Sequence, residues 1–469
     1  MPETVRLAPL KRLEGHGRVT LHLAEDGTVG SAHFDVTEFR GFERLVEGRM
    51  AWEMPLVTSR VCGICPVSHH VAAVKAVEAM LGVQPPRAGR LLRELLHLAG
   101  FVHDHALHFF FLAGPDFLTG DGAGSRDILG VVEGRPDLAR AAIALRRTGQ
   151  TIVETVGGQG HPVTAIPGGM SRGISDETRL ELLGLVREAV PEAAAAERVA
   201  RESTLRLLDE HPGFGSSATP YVGLLAEDGR LDLYDGALSV VLPSGALTSF
   251  PPSEYPEHIA ERTLQHSFAK VPYLRAGGDR GVVYRVGPLA RLNLAASTGG
   301  ERADALLAEC RETLGAPVHH TLAYHWARMI ELVAVLERME AVLGDAEVAS
   351  PEVRVRVSRG GGSGVGVVEA PRGTLIHRYE ADEVGRVTAA ELIVATTHNN
   401  AAIDAAVAEA VGGADARSGL DDAARRRMEL GIRAYDPCLS CATHEVGRMP
   451  LEVRVVSPEG WPPGTEGAA

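Results

Sequence analysis

The chain has 469 residues, 45% hydrophobic and 23% charged, a composition that can bury a large core in two or three packed regions. With 61 acidic and 47 basic residues its net charge is −14, which argues against nucleic acid or an anionic membrane surface as a general partner. No apolar run nears the roughly 18 residues that span a bilayer. Met1-Pro2-Glu3-Thr4 opens no charged-then-apolar leader, so a cytoplasmic chain is expected unless a partner carries its export signal.

From Val19 to Val36 apolar and polar residues alternate about Glu25-Asp26-Gly27, which reads as a β-hairpin. Phe39-Arg40-Gly41-Phe42-Glu43 and a loop then lead to a first cysteine pair. Pro66 suits the first position of a helix whose apolar face is Val67, Val71, Val74 and Leu81, with Gly82 ending it. Cys62 and Cys65 would stand at its entrance. One long helix is predicted from Arg87 to Leu112, with Leu91, Leu92, Leu95, Leu98 and Val102 as its stripe, and a second from Asp137 to Val156. Ser175, followed by Asp176 and Glu177, caps a third that continues towards Leu208, kinked or broken at Pro191.

Between Pro212 and Val286 the pattern changes to short strands with Gly/Pro turns, a β-rich insertion. Helices resume over Arg302 to Leu314 and Leu322 to Leu343. The run Gly360 to Gly364 lacks the Lys-Ser/Thr of a phosphate loop and reads as a flexible turn. Strands are expected around Val365 to Glu369, Thr374 to Tyr379 and Leu392 to Val394, then short helices over Ala401 to Ala410 and Leu420 to Leu430. The fold class is mainly α with β-rich portions (α+β), organised as one intertwined domain over 1–444. Its parts are an N-terminal hairpin region (1–60), a helical core (61–211), the insertion (212–290), further helices (291–350) and a mixed α/β part (351–444).

The chemistry lies in five cysteines, too few for a disulfide framework at this size. Cys62 and Cys65 form one C-x-x-C, Cys438 and Cys441 a second, and Cys310 stands alone. Two such pairs can present four thiolates to one soft metal. Zinc-ribbon knuckles lie roughly 15–20 residues apart, whereas these pairs lie towards opposite ends of the chain. Closing so long a loop costs little extra entropy once a core has brought the ends together. On spacing alone a structural zinc site, a redox dithiol and a catalytic transition-metal centre stay open.

The flanking residues separate these readings. Arg60-Val61-Cys62-Gly63-Ile64-Cys65-Pro66-Val67-Ser68-His69 and Asp436-Pro437-Cys438-Leu439-Ser440-Cys441-Ala442-Thr443-His444 resemble the two signature motifs of nickel–iron hydrogenase large subunits. Arg12-Leu13-Glu14-Gly15-His16, Phe39-Arg40-Gly41-Phe42-Glu43, His161-Pro162 with Pro167-Gly168-Gly169, and Glu369-Ala370-Pro371-Arg372-Gly373 agree in order, so the resemblance spans nearly the whole chain. It implies a binuclear site for heterolytic dihydrogen cleavage. Cys62 and Cys438 are then terminal nickel ligands, and Cys65 and Cys441 bridge to an iron that also carries carbon monoxide and cyanide. Glu14 resembles the family's proton-transfer glutamate beside Cys438. Arg372 resembles the arginine over the open coordination position, with Asp104 and Asp436 as the carboxylates around it. Glu43 and His444 resemble ligands of a magnesium ion. The family's precursor is cut after the residue matching His444, so 445–469 is expected to be a C-terminal extension removed in maturation by a protease, after nickel-insertion proteins have acted.

Other residues keep plainer readings. His103, His105 and His108 read as packing, His319-His320 as helix caps or flanks, and Cys310 as a small buried apolar residue. With four cysteines assigned, the one remaining cannot hold an iron–sulfur cluster, which generally needs four protein ligands, so none is expected in this chain. Electrons must then leave through an iron–sulfur small subunit, with diaphorase or other electron-transfer subunits beyond it. The motif variants are most similar to the cytoplasmic, cofactor-coupled branch, with NAD(P) the favoured acceptor over a heterodisulfide-linked route. Two other readings of the same fold stay in view: a hydrogen-sensing regulator, and the quinone-site subunit of respiratory complex I, which lacks the cysteines.

Overall fold

The computed structural model describes residues 4–7, 12–38, 41–119, 127–276, 281–412, 414, 416 and 420–443. It opens with a three-stranded antiparallel sheet of Thr4–Leu7 (β1), Gly17–Leu23 (β2) and Val29–Val36 (β3) in that spatial order. The predicted hairpin is β2–β3, and β1 is a strand the pattern did not suggest. Arg18 pairs with Asp35 and Thr20 with His33, which buries Val19, Leu21, Phe34 and Val36 on one face and leaves His22, His33 and Asp35 on the other. β3 is an edge.

Pro66–Leu81 (α1) starts on Cys65 and ends at Gly82, whose φ of +63° takes the left-handed cap that suits glycine. Arg87–Ala106 (α2), Pro136–Gly157 (α3), Asp176–Glu210 (α4) and Tyr324–Gly344 (α7) form the central bundle, α2 packing on α3 and α7, and α4 on α3 and α7. The predicted helix from Arg87 to Leu112 is α-helical only to Ala106. It then widens into a π-type turn over Leu107–Ala113, a form that marks functional sites. The Ser175 hydroxyl caps α4 by accepting the Thr178 N–H, as the sequence indicates. Pro191, however, lies inside a continuous 35-residue helix, because burial of the apolar face against α3 and α7 outweighs one lost backbone bond. Between α4 and α7 lie Pro288–Leu294 (α5) and Glu301–Leu314 (α6).

The insertion is β-rich as expected. Tyr221–Leu225 (β4), Ala237–Val241 (β5) and Leu247–Phe250 (β6) form one sheet, and Ile259–Arg262 (β7) with Val271–Leu274 (β8) another. Gly362–Ala370 (β9), Gly373–Ala381 (β10) and Val387–Ile393 (β11) form a further antiparallel sheet. Here the glycine run is not a flexible turn but the start of β9. A Cβ on Gly364 would stand 2.1 Å from the Ala76 carbonyl oxygen, and one on Gly366 the same distance from that of Ala72. The strand needs glycine because it lies directly on α1. Asn400–Val411 (α8) and Asp422–Ala434 (α9) lead to the second cysteine pair, and one apolar core runs from Val19 to Ala442.

Candidate metal centre

The core brings both ends of the chain to one point. Cys62 and Cys65 lie just ahead of α1. The Cys62 sulfur accepts the backbone N–H groups of Ile64 at 3.3 Å and Cys65 at 3.5 Å, the local turn that a C-x-x-C makes. Cys438 is set by its own N–H, which donates to Thr396 Oγ1 at 2.9 Å. Cys62 lies 3.2 Å from Cys438, Cys65 3.4 Å from Cys441 and Cys438 3.1 Å from Cys441, sulfur to sulfur. All four are buried and unoxidised, and their sulfurs all lie within 4.8 Å of one another.

This donor set fits a thiolate-bound metal. Burial, then the neighbouring thiols, pushes Cys438 well above its ordinary value, and burial does the same to Cys441. Hydrogen bonds from Cys438, Cys441 and Cys65 hold Cys62 well below its own. Four sulfurs in so small a dry space cannot all ionise without a cation among them. At about 2.3 Å per metal–sulfur bond, neighbouring sulfurs stand about 3.3 Å apart at right angles and about 3.8 Å apart at tetrahedral angles. The observed separations of 3.1–3.4 Å are close enough for one metal ion to be held by these sulfurs together.

Glu14 reaches this group from the opposite end of the sequence. Its Oε2 accepts from the Cys438 thiol at 3.0 Å and from the Ser440 N–H at 2.9 Å, while its carbonyl accepts the Leu439 N–H. Gly15, at φ +80°, permits the approach, since a Cβ there would meet Leu439 Cβ at 2.9 Å. Arg12 explains the rest of the motif: it donates to the Leu112 carbonyl at 2.7 Å and pairs with Asp116, which also binds Arg433 at 2.7 Å.

Arg372 sits at the tip of the two-residue turn joining β9 to β10. Its Nη1 and Nη2 donate to Asp104 at 2.7 and 3.0 Å, its Nη2 to Asp436 Oδ1 at 3.1 Å and its Nε to the Asp436 carbonyl at 2.7 Å. Both carboxylates expected around Arg372 are therefore there. Burial, opposed by Arg372 and assisted by Asp104, pushes Asp436 up to about 7, and its backbone takes a φ of +54°, rare without glycine. Below the turn, Glu369 accepts from Arg291, Thr374 and the Leu224 N–H, and Arg291 also pairs with Glu331. A small cavity touches Arg372, Cys65, Cys438 and Cys441.

The remaining sequence candidates fall as follows. Glu43 accepts the Leu392 N–H at 2.9 Å and lines a cavity with Cys441 and Thr443, but Lys270 also stands 3.4 Å from both of its oxygens. Burial works against the charge on Lys270, but Glu261 and Glu43 outweigh it and raise its pKa above the ordinary value. His444 and 445–469 lie outside the described residues, as do Phe39 and Arg40. His105 donates to or accepts from Glu331 at 2.7 Å, His108 meets the Arg433 carbonyl, and His320 caps the turn at Leu322, all structural placements. Cys310 is buried, its thiol pushed up to about 12 by burial.

One line of residues escaped the sequence reading. His69 Nε2 lies 3.4 Å from the Cys441 sulfur, His69 Nδ1 lies 3.1 Å from His377 Nε2, and His377 Nδ1 lies 2.7 Å from the Tyr379 hydroxyl. For His69 to donate to an anionic sulfur, His377 must donate to His69 and Tyr379 to His377, so the outer residues select the tautomer of the inner one. His377 and Tyr379 alternate on β10, and that period of two was the available signal.

Comparison with known proteins agrees with this geometry. A family model described as nickel-dependent hydrogenase matches residues 40–128 and 246–444, and one described as HoxL-like matches residues 4–39. A vhu-type F420-non-reducing hydrogenase polypeptide of Methanococcus voltae is 43% identical over 410 residues, covering 87% of this chain and 97% of its own. The beta subunit of the NAD-reducing hydrogenase HoxS of Cupriavidus necator is 35% identical and covers 98% of both. A solved NAD+-reducing NiFe-hydrogenase in the H2-reduced state superposes with a TM-score of 0.88 at 41% identity, covering 94% of this chain and 99% of that one. The chain therefore belongs to the nickel-dependent hydrogenase family, as the catalytic large subunit of a nickel–iron hydrogenase whose buried four-cysteine group suits the nickel–iron centre.

Proposed function

We propose that Cys62 and Cys438 are terminal nickel ligands, that Cys65 and Cys441 bridge nickel to an iron bearing carbon monoxide and cyanide, and that the protein cleaves dihydrogen reversibly there. The convergence of four buried, unoxidised sulfurs from opposite ends of the chain carries this reading. When bound, the centre supplies the Lewis acid and the sink for the two electrons of dihydrogen. The residues do the rest. Cys438 Sγ holds the departing proton and hands it to Glu14 Oε2, 3.0 Å away. Arg372, fixed by Asp104 and Asp436, keeps a permanent positive charge at the cavity wall and stabilises negative charge that develops there. His69 donates to Cys441 and steadies the charge on its sulfur. Nickel and iron analysis with infrared spectroscopy of the purified complex tests the assignment. Metal-bound carbon monoxide and cyanide bands are expected, and a nickel-free active preparation would end it.

Two electrons per dihydrogen must leave the core. We assign them to an iron–sulfur small subunit, then to NAD(P) through diaphorase-type partners in the cytoplasm. The NAD-reducing relative, matched end to end, supports this; the more identical F420-non-reducing relative supports a different soluble acceptor. Reduction of NAD+ by dihydrogen in the purified complex decides between them. No described helix is long and apolar enough to cross a membrane. Glu43 with His444 is assigned to magnesium, in competition with Lys270 for the carboxylate, and about one magnesium per nickel is the expected content. Removal of 445–469 in maturation predicts a mature mass ending at His444.

A further inference from the structure

The polar face of the β2–β3 hairpin, away from the four cysteines' ligand set, carries a second cluster of donors. His33 projects from β3, Asp404 from α8, and His266 from the loop between β7 and β8. One donor atom from each lies within 4.8 Å of the others. The imidazole rings of His33 and His266 are 4.4 Å apart, and His33 Nδ1 is 3.9 Å from Asp404 Oδ2. That separation is too long for a hydrogen bond. Donors bound to one ion at about 2.1 Å lie about 3.0 to 4.2 Å apart, so closure around an ion needs shifts of under about 1 Å.

The three residues are held there by backbone bonds rather than left to wander. Asp404 Oδ1 accepts the Phe34 N–H at 2.7 Å on the open edge of β3, which leaves Oδ2 turned to His33. The same edge fixes the loop of His266, since Val36 N–H donates to Ser267 Oγ at 3.0 Å and Phe268 N–H to the Val36 carbonyl at 3.0 Å. Behind His266 stands Asp35, 1% exposed. Its Oδ2 accepts from Thr20 and Arg18, while its buried Oδ1 has no hydrogen-bond partner and lies 3.9 Å from His266 Nε2. At that distance it makes no hydrogen bond to the ring, and a shift of under about 1 Å would give His266 the carboxylate partner that a ligand histidine uses to fix its ring.

We propose that His33, His266 and Asp404, with Asp35 orienting His266, form a second metal site in this protein, for a divalent cation of the zinc class. Two imidazoles and one carboxylate suit zinc or cobalt rather than magnesium or calcium, which take oxygen donors. The partly open setting, with His33 33% and His266 34% exposed, leaves room for water as a further ligand. The ion would tie three remote segments together: the hairpin that follows Glu14, the β-rich insertion, and the helix leading to Cys438. It is a staple for the proton-accepting edge of the fold and takes no part in the electron chemistry.

The test uses the assembled, nickel–iron-loaded complex, in which the four sulfurs are already occupied, after removal of loosely held ions with a chelator. Titration with cobalt(II) alone should give one equivalent with weak visible ligand-field bands and none of the intense thiolate charge-transfer absorption of a cysteine site. Zinc should displace it and raise the melting temperature. The His33→Ala/His266→Ala double variant should bind about 100-fold or more weakly and lose the zinc-induced melting shift, and Asp35→Asn should weaken binding about 10-fold. Absence of a stoichiometric cobalt equivalent at up to about 100 µM, or equal binding by the double variant, overturns the proposal. Intense charge-transfer absorption would assign the ion to cysteine instead and overturn it as well.

Discussion

Replacing Glu14 by glutamine isolates proton transfer from everything else the residue does. The carboxamide is isosteric, and its oxygen can still accept the Ser440 N–H that Glu14 Oε2 now accepts at 2.9 Å, so the loop bearing Cys438 and Cys441 keeps its anchor. That same oxygen faces Cys438, but an amide oxygen is far too weakly basic to take a proton from its sulfur. A positioned general base contributes roughly 10²- to 10⁴-fold, which is about 2.7 to 5.4 kcal/mol at about 1.36 kcal/mol per factor of ten. Glu14→Gln should therefore lower both dihydrogen oxidation with an artificial dye and dihydrogen–deuteron exchange by that factor, with nickel and iron content unchanged. Glu14→Asp withdraws the carboxylate by about 1.5 Å, one carbon–carbon bond, and should fall between the two. Wild-type exchange rates in a fully metallated Glu14→Gln protein would refute the route through Cys438 and Glu14.

Arg372→Lys keeps the charge but loses the fork that holds Asp104 and Asp436 together, so turnover should drop by about 10²-fold with metal retained; undiminished turnover would show that charge alone suffices. His377→Phe removes the group that sets the tautomer of His69 and should cost about 10-fold in turnover while shifting the carbon monoxide and cyanide bands, with His377→Gln recovering part of both. No band shift would make His377 a packing residue. Burial holds His70 and His97 down at about 4 and His325 and His398 at about 3. Their folded values lie below the unfolded one, so the stability they contribute is complete above about pH 6.5 and is lost as the pH falls, roughly 2 kcal/mol for each by pH 5. Chemical denaturation between pH 7 and pH 5 should show that slope, and a flat profile would contradict it. Gly364→Ala drives a methyl group into the Ala76 carbonyl and the Met80 amide, and should destabilise the chain by about 1 to 3 kcal/mol or more, read as a lower melting temperature.

The sequence by itself determined what is local. Cap residues, strand alternation and apolar stripes gave the hairpin, the ends of α1, the start of α4 and the β-rich insertion, because these depend on neighbours within a few positions. The two C-x-x-C pairs stood out by themselves, whereas Glu14 and Arg372 were marked by the resemblance to the hydrogenase family's motifs. What could not be read locally was decided by burial in three dimensions. Pro191 stays helical because α3 and α7 cover its helix, Gly360 to Gly364 leads into a strand because α1 leaves room only for glycine, and Lys270 reaches Glu43 from a remote loop. The relay through His69, His377 and Tyr379 joins residues from a helix and a strand that no sequence spacing connects. Propensity acts over one or two turns of chain, whereas the separation of two sulfurs or the partner of a buried carboxylate depends on which distant faces exclude water together.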